Sequence, residues 1–274
     1  MVSFFNMSSN QEYKSLLIRG TSESSPFSRI LFTLYRFLDL PIQYSILSSR
    51  SLGAPLIRLI GGTPIAPTGP SVFLLGTNIG LSPHRAILFG MALGAFAKQI
   101  YWVAAVSMNP VTPTTSALIS LFNLSWNSAN TLLFVNAATS VLSCTGSRSQ
   151  DETRLPVQTL IGLGLYVLGI VLEWNSEIQR TRFKKNPRNK GQIYTDGLFG
   201  YARHINYTGY VFWRAGFATA AAGWGWGLFV ASAFTYDFLT RGIPELDQYC
   251  SKKYGEGWAE YKNAVPYRLF PFIL

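Results

Sequence analysis

Residues 207–238 read YTGYVFWRAGFATAAAGWGWGLFVASAFTYDF, and the fold turns on how this stretch is accommodated. It is apolar throughout, with Arg214 as its only charge before Asp237. At about 1.5 Å per residue a helix of this length overshoots a single crossing of a roughly 30 Å hydrocarbon layer. The run Gly-Trp-Gly-Trp-Gly at 223–227 lies in its middle, and glycines loosen a helix. The stretch is therefore expected to be a tight helical hairpin that re-enters from the face it left.

The surrounding chain supports a membrane setting. Of its 274 residues, 48% are hydrophobic, 15% aromatic and only 13% charged, against about 25% charged in soluble domains. Three more stretches have the length for a span, at 86–107, 116–144 and 156–174. The second is uncharged but carries Asn123, Asn127, Asn130 and Asn136. Residues 29–47 contain Arg36, Asp39 and Pro41 and read as an interfacial or tilted helix. Residues 61–70 are rich in Gly and Pro and form a loop. The fold class expected is all-α, a polytopic membrane helical bundle with a C-terminal helical hairpin and an amphipathic cytosolic tail. Residues 1–28 are polar, without the apolar core of a signal peptide, and read as a flexible N-terminus. Residues 29–145 would supply N-terminal membrane helices and 156–274 a catalytic half, with a Ser- and Arg-rich seam at 147–154.

Composition also excludes chemistry. Cys144 and Cys250 make no disulfide framework, and His84 and His204 cannot build a multi-histidine metal site. No phosphate-binding glycine loop or hydrolase signature is present. The net charge of +10 is explained by Arg180, Arg182, Lys184, Lys185, Arg188 and Lys190, which lie at 178–192 without an intervening acid. Such an excess beside a span belongs on the cytoplasmic side, and no nucleic-acid role is expected from it.

Polar residues concentrate in the last hundred positions, where 13 of the 23 basic and 8 of the 13 acidic side chains lie after residue 172. Arg180 and Lys184 fall one helical turn apart, a spacing that suits either a phosphate or an anionic lipid head group. Arg203 and His204 mark the water–membrane boundary. Asn206 is placed to cap the following helix, whose N-terminus would favour anionic groups. Tyr207, Tyr210 and Arg214 share one face, and the arginine would either meet a functional partner or pair with Asp237 across the hairpin. In the tail, Tyr254, Trp258 and Tyr261 recur at helical spacing, with Asp247 two turns before Tyr254, as in a surface helix with aromatics at head-group level, or equally as rings that stack on a nucleotide base or roof a lipid-facing cavity.

A resemblance sharpens this. The segment ARHINYTG at 202–209, the tail element CSKKYGEGWAEY at 250–261 and VPYR at 265–268 resemble the C-terminal half of membrane sterol C-14 and C-24 reductases. QRTRFK at 179–184 is similar to an element of the same family, and the order agrees. The Arg-His…Tyr core is shared with the steroid 5-alpha-reductase and isoprenylcysteine carboxyl methyltransferase superfamily, in which this chain resembles a small member of the DUF1295 type. Ile205 stands where the methyltransferases usually place Pro, which tilts the resemblance to the reductases. The resemblance implies NADPH held by Arg180, Lys184, Arg203, His204, Asn206, Tyr207, Asp247, Tyr254, Trp258, Tyr261 and Arg268. It implies Tyr207, Asp247 and Tyr261 as candidate proton donors, reduction of a C=C bond in a sterol-like or isoprenoid lipid, and an endoplasmic-reticulum-type membrane. One departure is plain: residues 241–247 read RGIPELD, with less charge than the reductases carry there. The alternatives are S-adenosylmethionine-dependent methyl transfer to a lipid-borne carboxylate, or a non-catalytic lipid-binding relative. A lipophilic small molecule and membrane lipids are the expected partners, with no obligate protein partner.

Overall fold

The computed structural model describes residues 25–48, 52–107, 109–145, 152 and 154–274. Most of the N-terminal segment expected to be flexible, and most of the 147–154 seam, lie outside these residues. The chain divides into two compact units. One comprises residues up to Leu163 together with Phe217–Gly227, and the other comprises Gly164–Gly216 with Leu228–Leu274.

In the first unit, α1 (Pro26–Leu47) runs unbroken through Pro41 and packs against α3 (Pro83–Tyr101) and α4 (Pro113–Val135). A short α2 (Gly53–Leu59) follows α1. The loop expected at 61–70 is present. After it comes a two-stranded hairpin that the sequence did not announce, β1 (Phe73–Leu74) with β2 (Thr77–Asn78). All three long helices start at proline, whose missing N–H costs nothing in a first turn. Thr112 caps α4 by accepting from the Thr115 amide at 3.1 Å.

The packing of α1 is inverted relative to a soluble helix. Phe27, Ile30, Leu34, Phe37 and Leu38 are exposed, whereas Arg36, Asp39 and Gln43 are fully buried. Asp39 Oδ2 accepts from Arg36 at 2.9 Å and from Asn127 at 2.7 Å, and its Oδ1 accepts from Gln43 at 2.8 Å. Thr131 donates to Gln43 at 2.7 Å, and Gln99 to Asn123 at 2.6 Å. An apolar exterior over a paired polar interior is what a hydrocarbon surrounding selects. The same network explains why α4 is less apolar than its length suggests: Ser116, Ser120, Asn123, Asn127, Asn130 and Thr131 form its buried face.

Among the described residues, three helical runs are long and apolar enough to cross a membrane: Pro83–Val106, Val157–Lys185 and Ile205–Tyr254. Residues 116–144, expected as a span, are not among them, because their polar ladder lowers the hydropathy. α5 (Val157–Lys185) has 29 residues, about 43 Å, so it outruns the hydrocarbon and carries its basic end beyond it. From residue 162 onward, Gly162, Tyr166, Gly169, Glu173 and Ser176 are buried at helical spacing. Val157, Leu160, Ile161, Val167, Leu168 and Val171 cover the opposite side and are exposed.

α6 (Ile205–Asp237) is a hairpin, as expected. Its helical geometry fails at Ala222 (φ −135°) and Gly223 (φ 79°), a conformation that only glycine adopts without strain. Beyond the break the chain runs back along itself. The Phe234 ring meets Tyr210 at 5.3 Å and the Phe238 ring meets Tyr207 at 4.3 Å, while at the tip a Cβ on Gly227 would collide with Thr219. The Ala220 carbonyl, just before the break, accepts from Thr159 at 3.4 Å and lies 3.2 Å from His84 Nε2.

The tail corrects one expectation. It is two helices, α7 (Ile243–Tyr254) and α8 (Glu256–Ala264), broken at Gly255 with φ 55°. Trp258 and Tyr261 do not lie at a head-group surface. Both are buried with Cys250 and Val265, and Ile193, Leu246, Tyr249 and Tyr254 pack around them.

Candidate cofactor site

The second unit is organised by a close helix contact. A Cβ on Gly209 would lie 2.5 Å from the Glu173 amide, and one on Gly169 would lie 2.6 Å from the Gly209 carbonyl. Glycine at both positions lets α5 and the first limb of α6 touch backbone to backbone. Just beyond the contact, Trp213 Nε1 donates to Glu173 Oε2 at 2.7 Å. The contact aligns the C-terminal turns of α5 with the start of α6, where the expected site residues lie.

One turn past Glu173, Glu177 is the centre of a short network. Its Oε1 accepts from Arg180 at 2.9 Å and from Asn206 Nδ2 at 3.1 Å. Asn206 is therefore not a cap. It lies inside the first turn of α6 and reaches across to α5, while His204 occupies the cap position without a capping side-chain bond. The Arg180 guanidinium also covers the Phe199 ring at 5.5 Å. Phe199 is held in a short turn (Gly197–Gly200), where Gly197 has φ 59° and the Leu198 amide donates to Gln179 Oε1 at 3.0 Å.

The tail closes over the same place. Arg203 donates through NH1 to the carbonyls of Lys262 and Val265. The amides of Arg203 and His204 donate to Tyr267 and Arg268 at 3.0 and 3.1 Å, and Thr208 donates to the Leu269 carbonyl. Tyr261 donates to the Phe199 carbonyl at 2.8 Å. Asp247 accepts from Trp258 Nε1 at 2.7 Å and pairs with Lys262 at 3.4 Å. These amides and the Arg203 guanidinium are thus engaged by the chain's own carbonyls.

Burial dominates the electrostatics here, with Arg203, Arg180 and Asp247 all within range of His204. The imidazole is pushed down to about 3, first by burial and then by the two arginines. It is neutral at physiological pH. Burial pushes the Tyr261 phenol up, against the pull of Arg203 and Arg180, so it stays protonated. Arg203 is lowered by burial, opposed by Tyr261 and Asp247.

Three buried polar atoms here have no hydrogen-bond partner: Glu177 Oε2, His204 Nε2 and Arg203 Nε. Buried polar groups are paired as a rule, so each of these atoms is open to a partner that brings the complementary donor or acceptor. The His204, Tyr207 and Phe238 rings stack beside them at 5.4 and 4.3 Å. Lys184 and Arg268 are exposed, and Tyr254 is half-buried against the tail cluster.

Arg214 does not pair with Asp237. It lies over the Trp213 ring at 4.2 Å and bonds the Tyr210 hydroxyl at 3.0 Å, whereas Asp237 is chelated by Arg241 at 2.6 and 2.8 Å. Aromatic faces contribute to holding the buried cation. Glu177, which lies three residues before Arg180, was not singled out from the sequence. The i,i+3 charge pair was the available signal. Among the described residues no group of three or more His, Cys, Asp or Glu could hold a metal ion.

An all-α chain with membrane-crossing helices and a buried network of this kind at one end of its second unit belongs to the polytopic membrane proteins. The family profile described as "Protein of unknown function (DUF1295)" matches residues 102–265, and the chain belongs to that family. It is 40% identical to the probable O-methyltransferase ustE of Ustilaginoidea virens, over 89% of this chain and 85% of that protein. It is 33% identical to the Delta(14)-sterol reductase erg24 of Schizosaccharomyces pombe, over 43% of this chain and 31% of that one. Against the Delta(14)-sterol reductase TM7SF2 of Mus musculus it is 30% identical, over 43% and 31%. The match to the reductases thus covers about a third of their length.

Proposed function

We propose that this protein is an integral membrane O-methyltransferase that takes S-adenosylmethionine and methylates an oxygen of a lipophilic substrate. The observation that carries this is the extent of similarity: nearly the whole chain aligns with a probable O-methyltransferase, and less than half of it with the sterol reductases. Similarity of that extent outweighs the tilt given by Ile205 alone.

The geometry favours the same choice. A dinucleotide phosphate needs cations free to form charge-assisted bonds. Arg180 is neutralised by Glu177, and Arg203 is tied to two tail carbonyls. The orphaned atoms suit a cofactor that is a nucleoside without phosphate. Glu177 and His204 would accept from its hydroxyl or amino groups, and Arg203 Nε would donate.

S-adenosylmethionine, when bound, would supply an electrophilic methyl group. Catalysis by the chain is then mainly positioning and exclusion of water. The Tyr261 hydroxyl pins α8 to the Phe199 turn, and Arg203 holds the end of α8, so the tail acts as a fixed cover. A carboxylate acceptor needs no base. This agrees with a site whose imidazole is neutral and whose phenol is protonated.

NADPH-dependent reduction of a C=C bond is the second reading. It is favoured by the ordered stretches that resemble the sterol reductases and by the exposed Lys184 and Arg268. In either case the basic end of α5 and the tail would face the cytosol, in an endoplasmic-reticulum-type membrane. Comparison of lipids from cells with and without the gene separates the two readings. Methyl transfer adds one CH2 to a product, and reduction adds two hydrogens.

A further inference from the structure

We propose that Glu177 is a specificity-determining residue which reads the unmodified ribose of a nucleoside cofactor and rejects a phosphorylated one. The inference rests on the O-methyltransferase reading and assigns to one residue the discrimination that reading requires.

Glu177 lies on α5 one turn before Arg180 and is more than nine-tenths buried. Its two oxygens differ. Oε1 is saturated by Arg180 at 2.9 Å and Asn206 at 3.1 Å, which fix the carboxylate in place. Oε2 is sealed from solvent and lacks a donor. An ionised carboxylate oxygen only accepts, so a ligand that satisfies Oε2 must bring an N–H or O–H to it. A buried acceptor left bare is costly, and a ligand supplying its donor recovers that cost on binding.

The kind of donor follows from the neighbours. An ammonium placed on Oε2 would sit close to the Arg180 guanidinium, which shares the same carboxylate, and like charges repel. A neutral hydroxyl carries no such penalty. The Phe199 ring lies under Arg180 and the His204 ring stacks on Tyr207, so aromatic side chains border the network. An acidic side chain that bonds a ribose hydroxyl is also how dinucleotide folds exclude a 2′-phosphate, which would bring a second negative charge to the same oxygen. Glu177 further occupies Arg180, the cation best placed to welcome that phosphate.

The test is equilibrium binding to the full-length protein in detergent, with retained fold checked by circular dichroism. The probes are S-adenosylhomocysteine, its 2′-deoxy and 3′-deoxy counterparts, and NADPH. In the wild type, loss of one ribose hydroxyl should weaken binding about tenfold. Glu177→Gln should weaken S-adenosylhomocysteine about tenfold and strengthen NADPH by a similar factor, because Arg180 is released. If the wild type binds S-adenosylhomocysteine but neither deoxy analogue differs from it, the role of Glu177 is overturned and the methyltransferase reading survives. The role is equally overturned if Glu177→Gln leaves the affinity ratio of the two cofactors unchanged. A folded wild type that binds no S-adenosylhomocysteine overturns both. The ribose comparison needs no variant, so misfolding of Glu177→Gln does not remove the test.

Discussion

The indole N–H of Trp213 donates a 2.7 Å hydrogen bond to Glu173 Oε2, four residues beyond the point where Gly169 and Gly209 bring α5 and α6 together. Both side chains are buried, Trp213 completely. This bond and the glycine contact fix the register in which Glu177 meets Asn206, so the site depends on them.

Gly209→Ala places a methyl group 2.5 Å from the Glu173 amide. The backbones must separate, at an expected cost of about 1–3 kcal/mol. Thermal unfolding in detergent should show a lower midpoint, and cofactor affinity should fall with it because Asn206 is drawn away from Glu177.

Trp213→Phe keeps most of the ring volume and removes the donor. A buried carboxylate oxygen loses a partner, which costs about 1–3 kcal/mol. The same unfolding assay reads the loss. Trp213→Phe combined with Gly209→Ala should cost less than the sum of the two, since both act on one contact.

Removing the Arg203 guanidinium in Arg203→Ala deprives the carbonyls of Lys262 and Val265 of their donor. Limited proteolysis should then cut the tail beyond residue 264 sooner than in the wild type. Arg203→Lys should restore only part of the protection, because an ammonium lacks the planar fork of a guanidinium.

Acid should destabilise the protein through His204. Its native value of about 3 lies below the ordinary histidine value of 6.5, so the unfolded chain binds more protons between the two. The neutral imidazole's contribution is complete above about pH 6.5 and is lost as pH falls towards 3. His204→Gln should flatten this part of the pH–stability curve, measured by unfolding at a series of pH values.

The hairpin was legible because residues 207–238 are too long for one crossing and carry glycines at their centre, and the break falls at Gly223. The basic end of α5 was legible as an acid-free charge run. Other features were hidden for particular reasons. Gly255 interrupts an aromatic register that looks continuous, since periodicity does not reveal a positive φ. The asparagines of α4 read as imperfections in an apolar stretch, and only the facing Asp39, Gln43 and Gln99 turn them into a buried network. Asn206 resembles a cap in its local sequence, but Glu177, 29 positions earlier, claims its amide. Glu177 itself gave only a common charge-pair spacing, and its importance lies in the oxygen that the pair leaves bare.

The most direct measurement is transfer of an isotope-labelled methyl group by the purified protein in lipid nanodiscs, with a lipid extract as acceptor and the products resolved by mass spectrometry. Label is expected in an apolar product that has gained one CH2, with NADPH neither required nor consumed. Label confined to the cofactor, together with NADPH-dependent gain of two hydrogens by a lipid, would contradict the methyltransferase reading.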